Sequence, residues 1–230
     1  MSDQGISVLD RGFVRLVDHM GTDLTVVNAA RVSFGKRKEA FDEKDAELVS
    51  YLAAHEHTAP FRHAYLTFHV KAPIFVFRQW MKHRVASDFN EISGRYVEFS
   101  PDEFYVPELF RQQAKINKQG GEGQIPEESR QAAMEAYTAA CRNSVNQYKS
   151  LIEIGVCKEQ ARCVLPLALY SEVYWTASLQ AIAHFLRLRL DSHAQWEIRQ
   201  FARAVRELTE PIFPDSLAAL MKPYGQQKKL

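Results

Sequence analysis

The chain has 230 residues, 46% hydrophobic and 25% charged, which supplies enough apolar side chains for a buried core and excludes a disordered chain. With 29 basic against 28 acidic residues the net charge is +1 at pH 7, so an extended electrostatic track for nucleic acid is not expected and any basic patch must be local. No apolar run approaches the roughly 20 residues that span a bilayer, Met-Ser-Asp-Gln-Gly lacks the pattern of a secretory leader, and three cysteines without metal-ligand spacing suit a reducing cytoplasm.

In chain order, Ile6, Val8, Phe13, Val14, Leu16 and Val17 around Gly12 predict a β-hairpin over residues 6–20. Thr22 or Asp23 can cap a helix running to residue 30. Leu48, Tyr51 and Leu52, on one side of a charged segment, predict a second helix over residues 43–55. Leu66, Phe68 and Val70 alternate with Tyr65, Thr67 and His69, the two-residue period of a half-buried strand over 64–71. Pro73 suits a first helical turn, and Phe75, Val76, Gln79 and Trp80 carry a helical period towards residue 82. A further strand is expected over 96–106. Gly120, Gly121 and Gly123 mark an exposed linker, because no strand leads into them as a dinucleotide fingerprint requires.

The longest helix is expected over 127–154, ended by Gly155. Another, over 176–190, carries Leu179, Ile182, Ala183, Leu186 and Leu190 on one stripe and Gln180, His184 and Arg187 on a polar one. No repeat or Pro/Gly/Ser-rich linker divides the chain. The expected fold is α+β: an antiparallel sheet packed with helices, helix-rich in its C-terminal half, as one domain over residues 1–230. Cys141, Cys157 and Cys163 have no His or carboxylate pattern beside them and read as buried, inert thiols.

Chemistry concentrates in residues 79–96. Lys82, His83, Arg84 and Arg95 can neutralise a phosphorylated ligand, while Ser87, Asn90, Glu91 and Ser93 offer directional hydrogen bonds to a heterocycle. Arg189, His193 and Trp196 would share one helical face at i, i+4 and i+7, provided that Asp191 or Ser192 does not break the helix. Arg162, among apolar neighbours, must either reach the surface or find an anionic or carbonyl partner. Other readings of these residues stand beside this one: Lys82-His83-Arg84 as a solvated helix end, a nucleic-acid module using Trp80, Phe89 and Tyr96, or a metal-dependent nucleotide hydrolase. Metal ligation is a poor fit, because His55-Glu56-His57 lacks the i, i+4 histidine pair.

The signature Lys82-His83-Arg84, Ser87, Asn90-Glu91, Ser93 and Arg95-Tyr96 resembles that of the flavin-dependent thymidylate synthases, Arg-His-Arg-x-x-Ser-x-Asn-Glu-x-Ser-x-Arg-Tyr. Further blocks run the length of the chain: Ala30-Arg31-Val32-Ser33-Phe34, residues 67–75, Arg78-Gln79-Trp80, Val164-Leu165-Pro166, and Leu188-Arg189 with residues 191–197. The resemblance implies reductive methylation of dUMP to dTMP with methylenetetrahydrofolate as carbon donor, FAD as hydride carrier and NADPH as reductant. It also implies a homotetramer with shared sites. By position it implies dUMP binding by Gln79, Trp80, Met81, Lys82, Glu91, Ile92, Ser93, Gly94, Arg95, Arg162 and Arg189, with Arg189 catalytic. FAD contacts would come from Ala59, Lys82, His83, Arg84, Asn90, Glu91, Ser178, Leu179, Gln180, His184 and His193, with His57 at the flavin and folate opening.

Four departures mark this chain. Lys82 replaces an arginine, and Asp88-Phe89 stand where the signature has one residue, an extra length expected to enlarge a turn and displace Ser87. Ala59 replaces a hydroxyl residue, with Thr58 adjacent. Ser178, Gln180 and His184 replace an Asn and Arg combination.

Overall fold

The computed structural model describes residues 5–100, 103–115 and 120–222. A hairpin opens the chain, β1 (Ile6–Val8) against β2 (Gly12–Met20). Gly12 is required there, since a Cβ would lie 2.7 Å from the carbonyl oxygens of Lys71 and Val8. After α1 (Asp23–Arg31) and α2 (Glu43–Ala54) comes β3 (Tyr65–Pro73), whose Leu66, Phe68, Val70 and Ala72 are fully buried while the alternate residues are half-open. That alternation is the one read from the sequence. Pro73 caps α3 (Ile74–Trp80) rather than entering it.

The remaining elements are β4 (Ser87–Glu91), a two-stranded ribbon of β5 (Gln112–Gln113) and β6 (Gly121–Glu122), α4 (Glu127–Glu153), α5 (Lys158–Ala161), β7 (Tyr170–Ser178), α6 (Leu179–Arg189), α7 (Trp196–Thr209) and α8 (Pro214–Met221). The main sheet is antiparallel throughout, in the order β1-β2-β3-β7-β4, so the α+β expectation is met with helices filling the C-terminal half.

Several expectations are corrected. The helix expected from residue 176 starts at Leu179, because Ser171, Val173, Trp175 and Ala177 form one buried face of β7 and Ser178 caps α6 through its hydroxyl. The segment 87–91, read as turn, is an edge strand that takes its conformation from pairing with β7. No strand covers 96–106 among the described residues, only a single bridge between Phe104 and Leu169. The Gly120–Gly123 stretch contributes β6.

Val17 does not point inward: a bulge between Leu16 and Asp18 leaves it exposed. Only Cys141 is buried, for Cys157 caps the short α5 and Cys163 lies in the surface turn that follows. The expected elements stop at residue 190, although Ile198, Phe201, Ala202 and Val205 keep a helical period and form the buried face of α7.

The core that positions the site is aromatic. Trp80, ending α3, stacks on Phe185 of α6 at 4.6 Å and meets Trp175 of β7 edge-on at 5.1 Å. Each fully buried ring contributes about 2–3 kcal/mol through area, and each ring pair about 1 kcal/mol more. This packing fixes the chain just after residue 80 beside the middle of α6.

Candidate functional site

Three local structures build one cleft of about 430 Å³. The turn after α3 supplies Lys82, His83 and Arg84, the capped start of α6 supplies Ser178 and Gln180, and its C-terminal half supplies His184 and Arg189. Thr58 and Arg62, from the turn before β3, complete the rim. No carboxylate lines this cleft among the described residues, so the charges of Arg62, Lys82, Arg84 and Arg189 are not cancelled from within it.

Arg189 is anchored at two points. Its Nε–H donates to His83 Nε2 at 3.0 Å and an Nη2 proton goes to the Gln79 carbonyl oxygen at 3.3 Å. His83 is nearly buried, its backbone N–H held by the Trp80 carbonyl and its ring against Phe185 at 5.1 Å and His184 at 5.7 Å. Burial, then the charges of Arg189 and His184, push the His83 imidazolium down to about 4. Burial and the nearby Arg187 and Arg189 lower His184 as well. Gln180 Oε1 is buried with no hydrogen-bond partner among the described residues, an acceptor left for something in the cleft.

The other expected residues fall elsewhere. Trp80 and Leu179 are fully buried in the core, so only their backbones can reach a ligand. Met81 is half-buried against that core. Ala59 begins the rim turn at the surface, and His57 lies outside the cleft, edge-on to Tyr51 at 6.2 Å. The expected common face of Arg189, His193 and Trp196 does not form: α6 ends at Arg189, Asp191 accepts from the His193 backbone N–H at 2.8 Å, and α7 starts at Trp196. His193 instead lines a neighbouring depression of about 480 Å³ with Gln195, whose side chain accepts from Gln79 at 2.5 Å.

A second cluster sits at the far end of β4. Ser171 donates to Glu91 at 2.6 Å, the Ile92 backbone N–H to the Glu172 carbonyl at 2.9 Å, and the Arg95 N–H to the Ser93 hydroxyl at 3.3 Å. Gly94 leaves no room for a Cβ, which would lie 2.5 Å from the Phe99 ring and 3.3 Å from Arg162 Cδ. Arg162 thus packs over Gly94, and Arg95 reaches Glu159 at 3.6 Å. Four strand steps of about 3.3 Å separate this end from Ser87, roughly 13 Å.

The extra residue in the signature makes no enlarged turn. It is absorbed into β4, which pairs without a break from Ser87 opposite Ala177 to Glu91 opposite Val173. Because side chains alternate, Ser87 and Asn90, three apart, face opposite sides of the sheet. Ser87 accepts from the buried Trp175 indole at 2.6 Å, while Asn90 is exposed beside Tyr174. Arg62, unremarkable in the sequence, joins the cleft only through the turn Pro60–His63. Among the described residues no group of three or more His, Cys, Asp or Glu could hold a metal ion.

Against known proteins, the family model described as thymidylate synthase complementing protein matches residues 15–215. The chain belongs to this family. Among its relatives, the flavin-dependent thymidylate synthase of Thermus thermophilus is 52% identical over 93% of this chain and 77% of its own length. That of Thermosipho africanus is 46% identical over 94% and 93%. The flavin-dependent thymidylate synthase resemblance read from the signature is therefore borne out at full-chain scale. The family fold is also seen in the UMP/dUMP methylase PolB of Streptomyces cacaoi. Its structure with 5-Br dUMP superposes at a TM-score of 0.81, 35% identical, covering 93% of this chain and 96% of that one. With 5-Br UMP the TM-score is 0.80 at 34% identity.

Proposed function

We propose that this chain, acting as one domain, methylates dUMP at C5 to give dTMP, as a flavin-dependent thymidylate synthase. The observation that carries the reading is the carboxylate-free cleft holding Arg189, in a chain 52% identical to a relative of that name. The cleft's residues fit FAD: Arg62, Lys82 and Arg84 suit a pyrophosphate, and the unpartnered Gln180 Oε1 suits an imide N–H. When bound, FAD reduced by NADPH supplies the hydride that completes the methyl group, and methylenetetrahydrofolate supplies the carbon.

The protein's own part is binding, orientation and charge. Arg189 lies against the pyrimidine and favours its ionised form, since a fixed guanidinium stabilises negative charge developing on the ring. Gln79, Arg95 and Arg162 hold the phosphate and sugar. Glu91, Ile92, Ser93 and Gly94 shape the nucleotide turn, with Trp80 and Met81 contributing backbone. His83, His184, His193, Ser178, Leu179, Asn90 and Ala59 border the flavin, and His57 its opening.

Arg95 and Arg162 lie at the opposite end of β4 from the cleft, which supports a homotetramer whose sites combine residues of different copies. Val85 at 83% exposure, Phe34 at 79% and Tyr96 at 77% are large apolar surfaces that such an assembly would cover. A cytoplasmic setting suits the reaction; no helix among the described residues is long and apolar enough to cross a membrane. The PolB structures favour a second reading in which UMP is also a substrate. Parallel assays of methyl transfer to dUMP and UMP test both: turnover of dUMP alone supports the first, turnover of both nucleotides the second, and turnover of neither removes both.

A further inference from the structure

A carboxylate that holds an arginine's donor fork in place also neutralises its charge. Arg189 has no such partner in its cleft; a neutral base takes that place. We propose that His83 is the positioning residue for Arg189, its unprotonated Nε2 accepting the guanidinium Nε–H so that the remaining N–H donors keep a fixed aim and an undiminished charge. This rests on the function proposed above.

The donor inventory requires this arrangement. A guanidinium has only donors, so the 3.0 Å contact exists only while Nε2 carries a lone pair. His83 is itself immobilised, tied at its backbone to Trp80 and wedged between Phe185 and His184. The charged and titratable groups that bear on it are basic: Arg189 and His184 on α6, with Lys82 and Arg84 on either side in the chain. Protonation would lose the acceptor and set a second charge against Arg189. Because the imidazole is held down to about 4, the acceptor persists above that pH and is lost as pH falls through it. The Gln79 carbonyl gives the second anchor and fixes rotation about the first.

The test compares His83→Leu, which keeps bulk and removes the acceptor, with His83→Gln, which restores an acceptor oxygen at a similar reach. Reaction of Arg189 with phenylglyoxal, followed by mass spectrometry, reads the anchoring without any turnover. Release of one hydrogen bond corresponds to about a tenfold faster modification. His83→Leu is expected to show that acceleration and His83→Gln to show little of it. In turnover, His83→Leu is expected to lose about 100-fold in kcat with KM for dUMP changed only a few-fold, the pattern of a misaimed group, and His83→Gln to recover most of the loss. Equal phenylglyoxal reactivity in all three proteins, or a glutamine variant as impaired as the leucine one, overturns the proposal. An inactive wild type with the expected phenylglyoxal pattern upholds His83 as the anchor and overturns only the parent reading.

Discussion

Replacing Ser87 by Ala tests whether the signature serine is a ligand contact or a structural acceptor. Trp175 is 1% exposed and its indole N–H has the Ser87 hydroxyl as partner at 2.6 Å. Losing that acceptor strands a buried donor, a cost of about 1–3 kcal/mol, and the small cavity left by the hydroxyl is a lesser addition. At about 2 kcal/mol, a chain of this size should lose roughly 4–8 °C in Tm. Thermal unfolding of Ser87→Ala measures it, and the partner variant Trp175→Phe closes a double-mutant cycle. Without the indole N–H the serine has nothing to receive, so Ser87→Ala in the Trp175→Phe background should cost under about 0.5 kcal/mol. Additive losses would refute the reasoning, as would a stable Ser87→Ala enzyme with a large rise in KM for nucleotide or flavin.

Other outcomes follow from the same geometry. Asp45, fully buried, accepts from Arg31 at 2.7 Å and Lys38 at 2.6 Å, tying the segment before α2 to α1, and Asp45→Asn should cost about 2 kcal/mol in urea unfolding because both cations stay partly hydrated. Burial pushes that carboxyl up, but the bonds from Lys38 and Arg31 outweigh it and hold it at about 2. The stabilisation is therefore complete above pH 4 and lost as pH falls towards 2; a wild-type stability profile as flat there as that of Asp45→Asn would contradict it. Gly94→Ala, with a Cβ 2.5 Å from Phe99 and 3.3 Å from Arg162, should displace both side chains and weaken dUMP binding about tenfold by calorimetry, against unchanged affinity if Arg162 has no part in the site. Arg189→Lys should lose at least about 100-fold in kcat while still binding FAD, since an ammonium cannot keep both the His83 and Gln79 contacts and their aim; wild-type turnover would remove Arg189 from catalysis.

What could be read in advance follows from where one face alone is buried. β3 was legible because Leu66, Phe68 and Val70 go to the core and their neighbours do not. β4 was not: Ser-Asp-Phe-Asn-Glu is poor in strand-forming residues, and only pairing with β7 makes it extended. β7 hid behind Thr176-Ala177-Ser178, which suit a helix start as well as a strand end. At the site, Lys82, His83, Arg84 and Arg189 stood out by composition, but the bond between His83 and Arg189 spans 106 residues and depends on Trp80 stacking on Phe185. No local pattern encodes that. Arg162 packs over Gly94 and Arg95 reaches Glu159, contacts legible only once 159–165 is folded beside 91–99.

The most direct test is the visible absorption spectrum of the purified chain, reconstituted with FAD, recorded before and after addition of dUMP. The account predicts a flavin spectrum that shifts when dUMP binds and, once the flavin is reduced, a return of the oxidised bands on adding dUMP with methylenetetrahydrofolate. A colourless protein that takes up no FAD, or a bound flavin indifferent to dUMP, would contradict it.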